Sequence, residues 1–246
     1  MRFLLHCLLL AGLLCPAAPV IAASVSAPVP LGSWVYPALD KLEGLGLIDS
    51  SLKGSRPYTR LEAARLTAAA MRSEDSQRLL VAAELLRNLQ RELKGELAEL
   101  GGAVGSDYFK PLREVSLSHA WREGDDTAIA ATNARQFALD ANRQGLAFGE
   151  GHNGQVILAS EARLWRRLHL SARPLFAVQE NGSDGTWRLL DGRAALGLGP
   201  LELSIGRQSL WWGQGRNGAL VLSNNAKPLD MLRLTTPSPV LLPWVF

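Results

Sequence analysis

The apolar positions in the first part of the chain, from residue 33 to about 101, recur with the period of a helix. Leu39, Leu42 and Leu45 have helical spacing, and Gly46 follows them as a stop signal. A longer amphipathic stretch runs from about Glu74 to Leu100 and ends at two glycines. The pattern predicts a small bundle of three helices, the second of them opening at residue 59.

A capping box is expected at the start of that second helix, in the residues Thr59-Arg60-Leu61-Glu62. In this motif the Thr hydroxyl and the Glu carboxylate each accept a hydrogen bond from a free backbone amide. The apolar stripe of the long stretch is interpreted as packing onto the two shorter helices; a docking helix for another protein is the alternative.

From Ser106 onward the period changes from about 3.6 to 2, which is typical of strands. Alternation of apolar and polar residues covers three runs: Val115–Arg122, Leu164–Ala172 and Leu201–Gly206. Turn signals separate them at residues 123–126, 149–154, 181–185 and 199–200. Strands of about ten residues with one apolar face are a signature of outer-membrane barrels, and a secreted β-sandwich shows the same alternation.

The first 23 residues have the form of a signal peptide. Arg2 is followed by the apolar run Phe3–Leu14 and by small residues at Ala22 and Ala23. Leu14 precedes Cys15 where a lipidation motif needs Gly, Ala or Ser, so a lipoprotein is not expected. Cleavage removes Cys7 and Cys15, and the mature chain then has no thiol and no disulfide. After this segment, no stretch is apolar over the ~20 residues that a spanning helix needs.

Composition excludes several classes of protein. Among 246 residues, 47% are hydrophobic and 20% charged, with 26 Lys and Arg against 23 Asp and Glu. A disordered chain, a collagen-like fibre and a nucleic-acid-binding tail all need a stronger bias. No nucleic acid is therefore expected as a partner.

The motifs give no support to catalysis. Gly213–Gly218 matches G-x-G-x-x-G, but a strand and a loop follow it where a nucleotide site needs a helix. His119, His152 and His169 lack metal-ligand spacing, and neither H-E-x-x-H nor G-x-S-x-G occurs. We expect no enzyme, no cofactor and no metal.

Tryptophans and arginines of the second part point to an interface or to sugars. Trp165 and Trp187 are interpreted as an aromatic girdle at a membrane surface, with stacking on sugar rings as the alternative. Adjacent residues of a regular strand face opposite sides, so at most one of Trp211 and Trp212 can face lipid. Arginines of the strands are expected in the lumen of a barrel or near an interface.

Two stretches carry a resemblance to one family. The first contains Ser33-Trp34-Val35-Tyr36-Pro37, Gly46-Leu47-Ile48 and Arg56–Leu66. Taken alone it also resembles the surface-layer-homology segments of certain porins. The second is more specific, with Leu210-Trp211-Trp212-Gly213-Gln214-Gly215 followed by Leu222-Ser223-Asn224-Asn225-Ala226-Lys227-Pro228. Together they resemble the Wzi-type capsule-assembly proteins of Gram-negative outer membranes.

The resemblance implies a periplasmic helical bundle joined to an outer-membrane β-barrel of about eighteen strands. It also implies a lectin-like protein, not an enzyme, that helps to hold capsular polysaccharide on the cell surface. We therefore predict an α+β chain with a signal peptide at 1–23, a periplasmic helical region at 24–102, and antiparallel transmembrane barrel strands at 103–246.

Residues 107–246 have room for about eight strands of about ten residues, which is an incomplete part of such a barrel. Pro243 lies three residues before Phe246 and interrupts a closing strand. The expectation from this count is an N-terminal fragment or a truncated reading frame.

The expected partners are capsular polysaccharide and outer-membrane lipid, with peptidoglycan or a periplasmic protein at the helical region. Guanidinium groups pair with acidic sugars, aromatic rings offer a stacking face, and amides donate and accept hydrogen bonds. The candidate polysaccharide-binding residues are Arg207, Trp211, Trp212, Arg216, Asn224 and Asn225. A conformational role of the same segment, as a loop that plugs the barrel, is the alternative for these residues. At the level of the protein, the alternatives are a porin-type channel with a peptidoglycan-contacting helical segment and a soluble periplasmic β-domain.

Overall fold

The structure is a computed structural model, and it describes residues 24–49, 51, 54–76, 78–123, 144–146, 148–180, 185–215, 218–219, 221–225 and 227–238. The predicted signal peptide lies outside the described residues. The described chain contains a helical part followed by antiparallel strands, which confirms the α+β class.

The helical part contains four α-helices among the described residues. They are α1 (Val35–Gly44), α2 (Arg60–Arg72), α3 (Leu80–Glu92) and α4 (Lys94–Leu100), with a 3-10 turn at Glu74–Ser76. Leucines and alanines of α1, α2 and α3 meet in one apolar core with Tyr36, Tyr58 and Ile48.

The start of α2 carries half of the expected capping box. The hydroxyl of Thr59 accepts a hydrogen bond from the backbone N–H of Glu62 at 3.1 Å. The Glu62 carboxylate binds the Arg65 guanidinium, at 2.7 and 2.8 Å. The Glu62 carboxylate thus pairs with a cation from the next turn of the same helix.

The long amphipathic stretch is not one helix. At Leu93 the backbone leaves the helical region, with φ −108° and ψ 23°, and α4 begins directly afterwards. Leu89 and Leu93 are both fully buried, so the bend lets the leucines on its two sides reach one core.

The second part is a six-stranded antiparallel sheet in the order β2-β3-β4-β5-β6-β8. Its strands are β2 (Tyr108–Arg122), β3 (Gly151–Leu164), β4 (Leu168–Gln179), β5 (Thr186–Leu198), β6 (Leu201–Gln208) and β8 (Leu229–Thr235). The short strands β1 (Ser55–Arg56) and β7 (Trp211–Trp212) form a separate two-stranded sheet. Over the described residues the larger sheet has β2 and β8 as open edges and is not a closed barrel.

Two boundaries differ from the expectation. The predicted run Leu164–Ala172 is divided by a turn in which Trp165 and Arg166 have positive φ, 52° and 59°. The Asp107 carboxylate holds this turn, accepting hydrogen bonds from both backbone amides at 2.8 Å. In the predicted turn at 149–154, residues 151–154 belong to a strand, since β3 begins at Gly151.

The two faces of the sheet differ sharply. By strand register one face carries large apolar side chains that are exposed: Phe109, Val115, Leu117, Trp121, Leu170, Val178, Trp187, Leu189, Leu196, Leu198, Leu201, Ile205, Leu232 and Leu234. The other face carries Glu161, Arg163, His169, Arg173, Asp191, Arg193, Glu202 and Arg233. We call them the apolar face and the charged face.

Within the described residues, no helix has both the length and the apolar character needed to cross a bilayer.

Candidate functional site: a polar cavity on the charged face

A cavity of about 400 Å³ lies against the charged face of the sheet. Residues 27–32 and the loop 55–59 of the helical part line it on the opposite side. Glutamate, aspartate, arginine and histidine side chains from all six strands of the larger sheet contribute to its wall. The cavity therefore lies between the two parts of the molecule.

Residues 25–29, which we call the strap, are fixed to both parts. The N–H of Val25 donates to the carbonyl of Arg166 in the β3–β4 turn, at 3.0 Å. On the helical side, Ala27 O accepts from Arg60 N at 2.9 Å and Val29 N donates to Tyr58 O at 2.8 Å. These backbone bonds hold the strap across the cavity.

Four arginines that line the cavity, among them Arg207, are paired with acidic side chains within the described residues. Arg173 lies 2.8 Å from Asp191, and Arg113 lies 3.6 Å from Glu161. Arg193 forms a third pair with Glu202, and both members are buried. Arg233 lines the same cavity and makes no ion pair within 4.0 Å among the described residues.

Arg207, a predicted site residue, is occupied by an acid. Its guanidinium binds both carboxylate oxygens of Asp230 at 2.8 Å and donates to Leu189 O at 3.1 Å. Hydrogen bonding and charge attraction by this guanidinium fix the two side chains to one another. By strand register Arg207 and Asp230 lie on the same side of the sheet as Ile205, the apolar face, although Arg207 also borders the cavity at the end of β6.

The predicted Trp pair lies on β7, which pairs with β1 of the helical part. Trp211 is 6% exposed and its indole N–H donates to Gly215 O at 3.0 Å. Trp212 is 46% exposed, so of the two rings it is the one that a ligand can reach.

Asn224 and Asn225 meet the end of the long 123–150 connection. Asn224 O accepts from Gln144 N at 2.7 Å, and Asn225 O accepts from Gly145 N at 3.1 Å. Asn224 lines the cavity, together with Gln144. Arg216 lies outside the described residues.

Two of the predicted residues, Arg207 and Asn224, thus border one cavity, and Trp212 is exposed on the adjoining segment. The family model for the capsule assembly protein Wzi matches residues 123–246, half of the chain. The chain belongs to the Wzi capsule-assembly family. Membership gives it a capsule-related role at the outer membrane. Searches of curated proteins and of solved structures returned no match.

In this Wzi-family chain His169, Arg193 and Glu202 form a group that the sequence pattern does not predict. His169 is fully buried, and both of its ring nitrogens lack a hydrogen-bond partner among the described residues. Arg193 Nη1 and Glu202 Oε2 are likewise buried without a partner. All three side chains line the cavity. Strand register brings them together, and no spacing in the sequence signals it.

A second pair that the spacing conceals lies on the apolar face of this Wzi-family sheet. His119 Nε2 and His152 Nδ1 are 3.0 Å apart, with stacked rings. Trp121 pairs with His152 in the β2–β3 register. Among the described residues, no three His, Cys, Asp or Glu side chains form a metal-binding group.

Proposed function

We propose that this protein is an outer-membrane β-barrel protein that binds capsular polysaccharide and helps to attach it to the cell surface. The observation that carries the proposal is the inverted sheet, apolar outside and charged inside, in a chain of the Wzi family. The family is not known for enzymes, and we assign the protein no catalytic step.

The apolar face supports insertion into lipid. Soluble monomers rarely expose a contiguous apolar patch larger than a few hundred Å². Here fourteen large apolar side chains on one face are exposed, including Leu117 and Ile205 near the middle of their strands. Barrel strands in an outer membrane have this arrangement, with polar residues inside.

The lengths of the connections support an orientation. The β3–β4 and β5–β6 turns are short, at 165–167 and 199–200, and they lie at the end of the sheet where Arg163 binds Glu99 of α4. The connections at the other end span residues 123–150, 180–185 and 209–228. Outer-membrane barrels have short turns on the periplasmic side and long loops outside. The helical part is thus assigned to the periplasm, where it would contact peptidoglycan or a periplasmic protein.

In this orientation the candidate polysaccharide site lies in the outer connections and at the top of the cavity. Trp212 provides an exposed ring for a sugar face, and Asn224 and Asn225 provide amides. Arg216 lies outside the described residues and stays a prediction from the sequence for this site. Arg207 contributes through its pair with Asp230, which an acidic sugar would have to compete with. Trp211 is buried, and its indole N–H donates to Gly215 O within the same segment.

The test uses an encapsulated host that carries the wild-type gene, a deletion, or single variants. We would quantify capsular polysaccharide bound to cells against that released into the medium. Deletion should move polysaccharide from the bound to the released fraction while the total stays constant. Trp212→Ala should weaken binding about two- to twelvefold and so raise the released fraction, since loss of an aromatic contact costs about 0.5–1.5 kcal/mol.

Trp34→Ala is the matched control, because Trp34 has nearly the same exposure, 44%, but belongs to the helical part. An unchanged bound fraction in the deletion strain would refute attachment. A porin-type channel would then be the alternative to examine by conductance in planar bilayers. A small conductance is expected here, because the strap and residues 30–32 cover the charged face.

A further inference from the structure

We propose that the buried residues His169, Arg193 and Glu202, together with the half-buried Arg233, form a binding site for a single carboxylated sugar unit. This inference rests on the proposed function, and it names both the chemical class of the sugar and the place where it binds. The four residues come from β4, β5, β6 and β8, and all line the cavity on the charged face.

The first argument is the hydrogen-bonding capacity left unused. His169 is 0% exposed, and neither ring nitrogen has a partner within the described chain. Arg193 Nη1 has an unused donor, and Glu202 Oε2 an unused acceptor, although the two side chains bind each other through their other atoms. Buried polar atoms are nearly always satisfied by protein, water or a ligand. The residues that carry these atoms line a polar cavity, so a molecule in that cavity, water or a ligand, is the candidate partner for them.

The second argument is charge. The wall pairs Arg113, Arg173 and Arg193 with acidic groups, whereas Arg233 has no ion pair among the described residues. The register places Arg233 beside Ser204, two residues from Glu202. Glu202 offsets part of the charge of Arg233 without forming an ion pair with it. A guanidinium with no ion-pair partner among the described residues favours an anion, and a carboxylate matches it with two parallel hydrogen bonds.

The third argument is the mixture of donors and acceptors. A bare anion would satisfy the guanidinium groups but would leave Glu202 Oε2 without a donor. Sugar hydroxyls both donate and accept, so they can serve Glu202, His169 and Arg193 at once. A carboxylate together with neighbouring hydroxyls is the chemistry of a uronic acid.

The size and position of the cavity fit one unit. A volume of about 400 Å³ is at the lower end of the range for small-molecule pockets, about 300–1,000 Å³. Asn224 and Ser209 border it on the side of the outer connections. A terminal unit of a polysaccharide would enter beside Asn224 and place its carboxylate at Arg233.

The experiment uses the purified full-length protein in detergent micelles, with D-glucuronate as the probe and D-glucose as its neutral counterpart. Saturation-transfer NMR detects weak binding, and titration gives the dissociation constant. We expect glucuronate to bind at least tenfold more tightly than glucose. Arg233→Met should weaken glucuronate binding at least tenfold, and Arg233→Lys should restore part of it.

Glu202→Gln and His169→Asn should weaken both sugars, because they alter contacts with hydroxyls. Arg167→Met is the matched control, since Arg167 lies in the exposed β3–β4 turn and does not line the cavity. Circular dichroism of each variant verifies that it folds. If Arg233→Met does not fold, Arg233→Lys still tests the role of the guanidinium.

Two outcomes would overturn the inference. One is the absence of signal for both sugars in the folded wild type, which means that water alone fills the cavity. The other is glucuronate binding that Arg233→Met leaves intact. The capsule-retention assay is independent of this titration: retention without glucuronate binding rejects this site and leaves the proposed function standing. Glucuronate binding without an effect on capsule retention supports this site and rejects the proposed function.

Discussion

The helical part and the sheet place the same kinds of side chain in opposite directions. In the helical part, leucines such as Leu42, Leu66 and Leu89 are fully buried in one core. In the sheet, leucines such as Leu117 and Leu232 are exposed, and the face that is covered carries charges instead. Hydrophobic periodicity therefore marks an inside in one region and an outside in the other. The difference is what two solvents, water and lipid, would impose on one chain.

The energetic meaning of this difference is large. Full burial of a leucine side chain is worth about 1.5–3 kcal/mol, and the helical core collects this from many residues. The exposed leucines of the sheet do not gain this burial free energy in water, and they would gain it only in contact with lipid.

Leu89→Ala should destabilise the helical part by about 4 kcal/mol. Leu89 is fully buried between helices, and truncation removes transfer free energy and leaves a cavity. Chemical denaturation of the protein in micelles, followed by circular dichroism at 222 nm, measures the loss. Ile205→Ala on the apolar face is the control and should cost much less in detergent, since no protein packs over that side chain. Equal losses at the two positions would contradict the contrast.

Leu117→Arg should lower the stability of the lipid-inserted protein by about 2–4 kcal/mol, the cost of an arginine at the middle of a barrel's lipid face. Ser118→Arg is the adjacent control: Ser118 is on the opposite face of β2, where its hydroxyl lies near Gln155. Urea titration of the protein folded into lipid vesicles compares the two. If both substitutions are tolerated equally, the apolar face does not contact lipid.

Local patterns in the sequence predict much of this architecture. The change from helical to alternating periodicity near residue 106 predicts the change from α4 to β2. Thr59 predicts the start of α2 because a hydroxyl before a helix accepts one of its free amides. The apolar and charged faces follow from alternation alone, once Val115 and Leu117 are assigned to one side. These features depend on neighbours in sequence, so sequence is enough to find them.

The missed features depend on distant residues. The turn at Trp165 and Arg166 contains no Gly, Asn or Pro, and it is held by Asp107, more than fifty residues away. The cluster of His169, Arg193 and Glu202 exists because three strands pair in one register. A register is set by all ladder contacts together, so single-residue patterns cannot locate such a site.

Arg163→Met should loosen the junction between the two parts by about 2 kcal/mol. The guanidinium donates to Ser106 O at 2.8 and 3.0 Å and lies 3.0 Å from the Glu99 carboxylate of α4. Both side chains are largely buried, and hydrogen bonds to charged groups contribute about 1.5–3 kcal/mol. Limited proteolysis should show faster cleavage near residues 101–107 in the variant. Arg167→Met, in the exposed turn, should leave the rate unchanged, and an unchanged rate in Arg163→Met would show that the junction does not depend on this arginine.

Tyr36→Phe should have the smallest effect, and one that depends on pH. The Tyr36 hydroxyl donates to Val29 O at 2.8 Å and accepts from Tyr58 N at 3.1 Å, and burial raises the pKa of this phenol well above its usual value. At neutral pH the variant should lose about 1 kcal/mol, the net value of a hydrogen bond. The unfolded chain ionises near pH 10 while the folded chain keeps its proton, so the wild type loses up to about 1.4 kcal/mol per pH unit above pH 10. The variant lacks this loss. Denaturation at pH 8 and at pH 11 should therefore show the difference between the two proteins vanishing at the higher pH; a constant difference would mean that Tyr36 is not buried in a closed core.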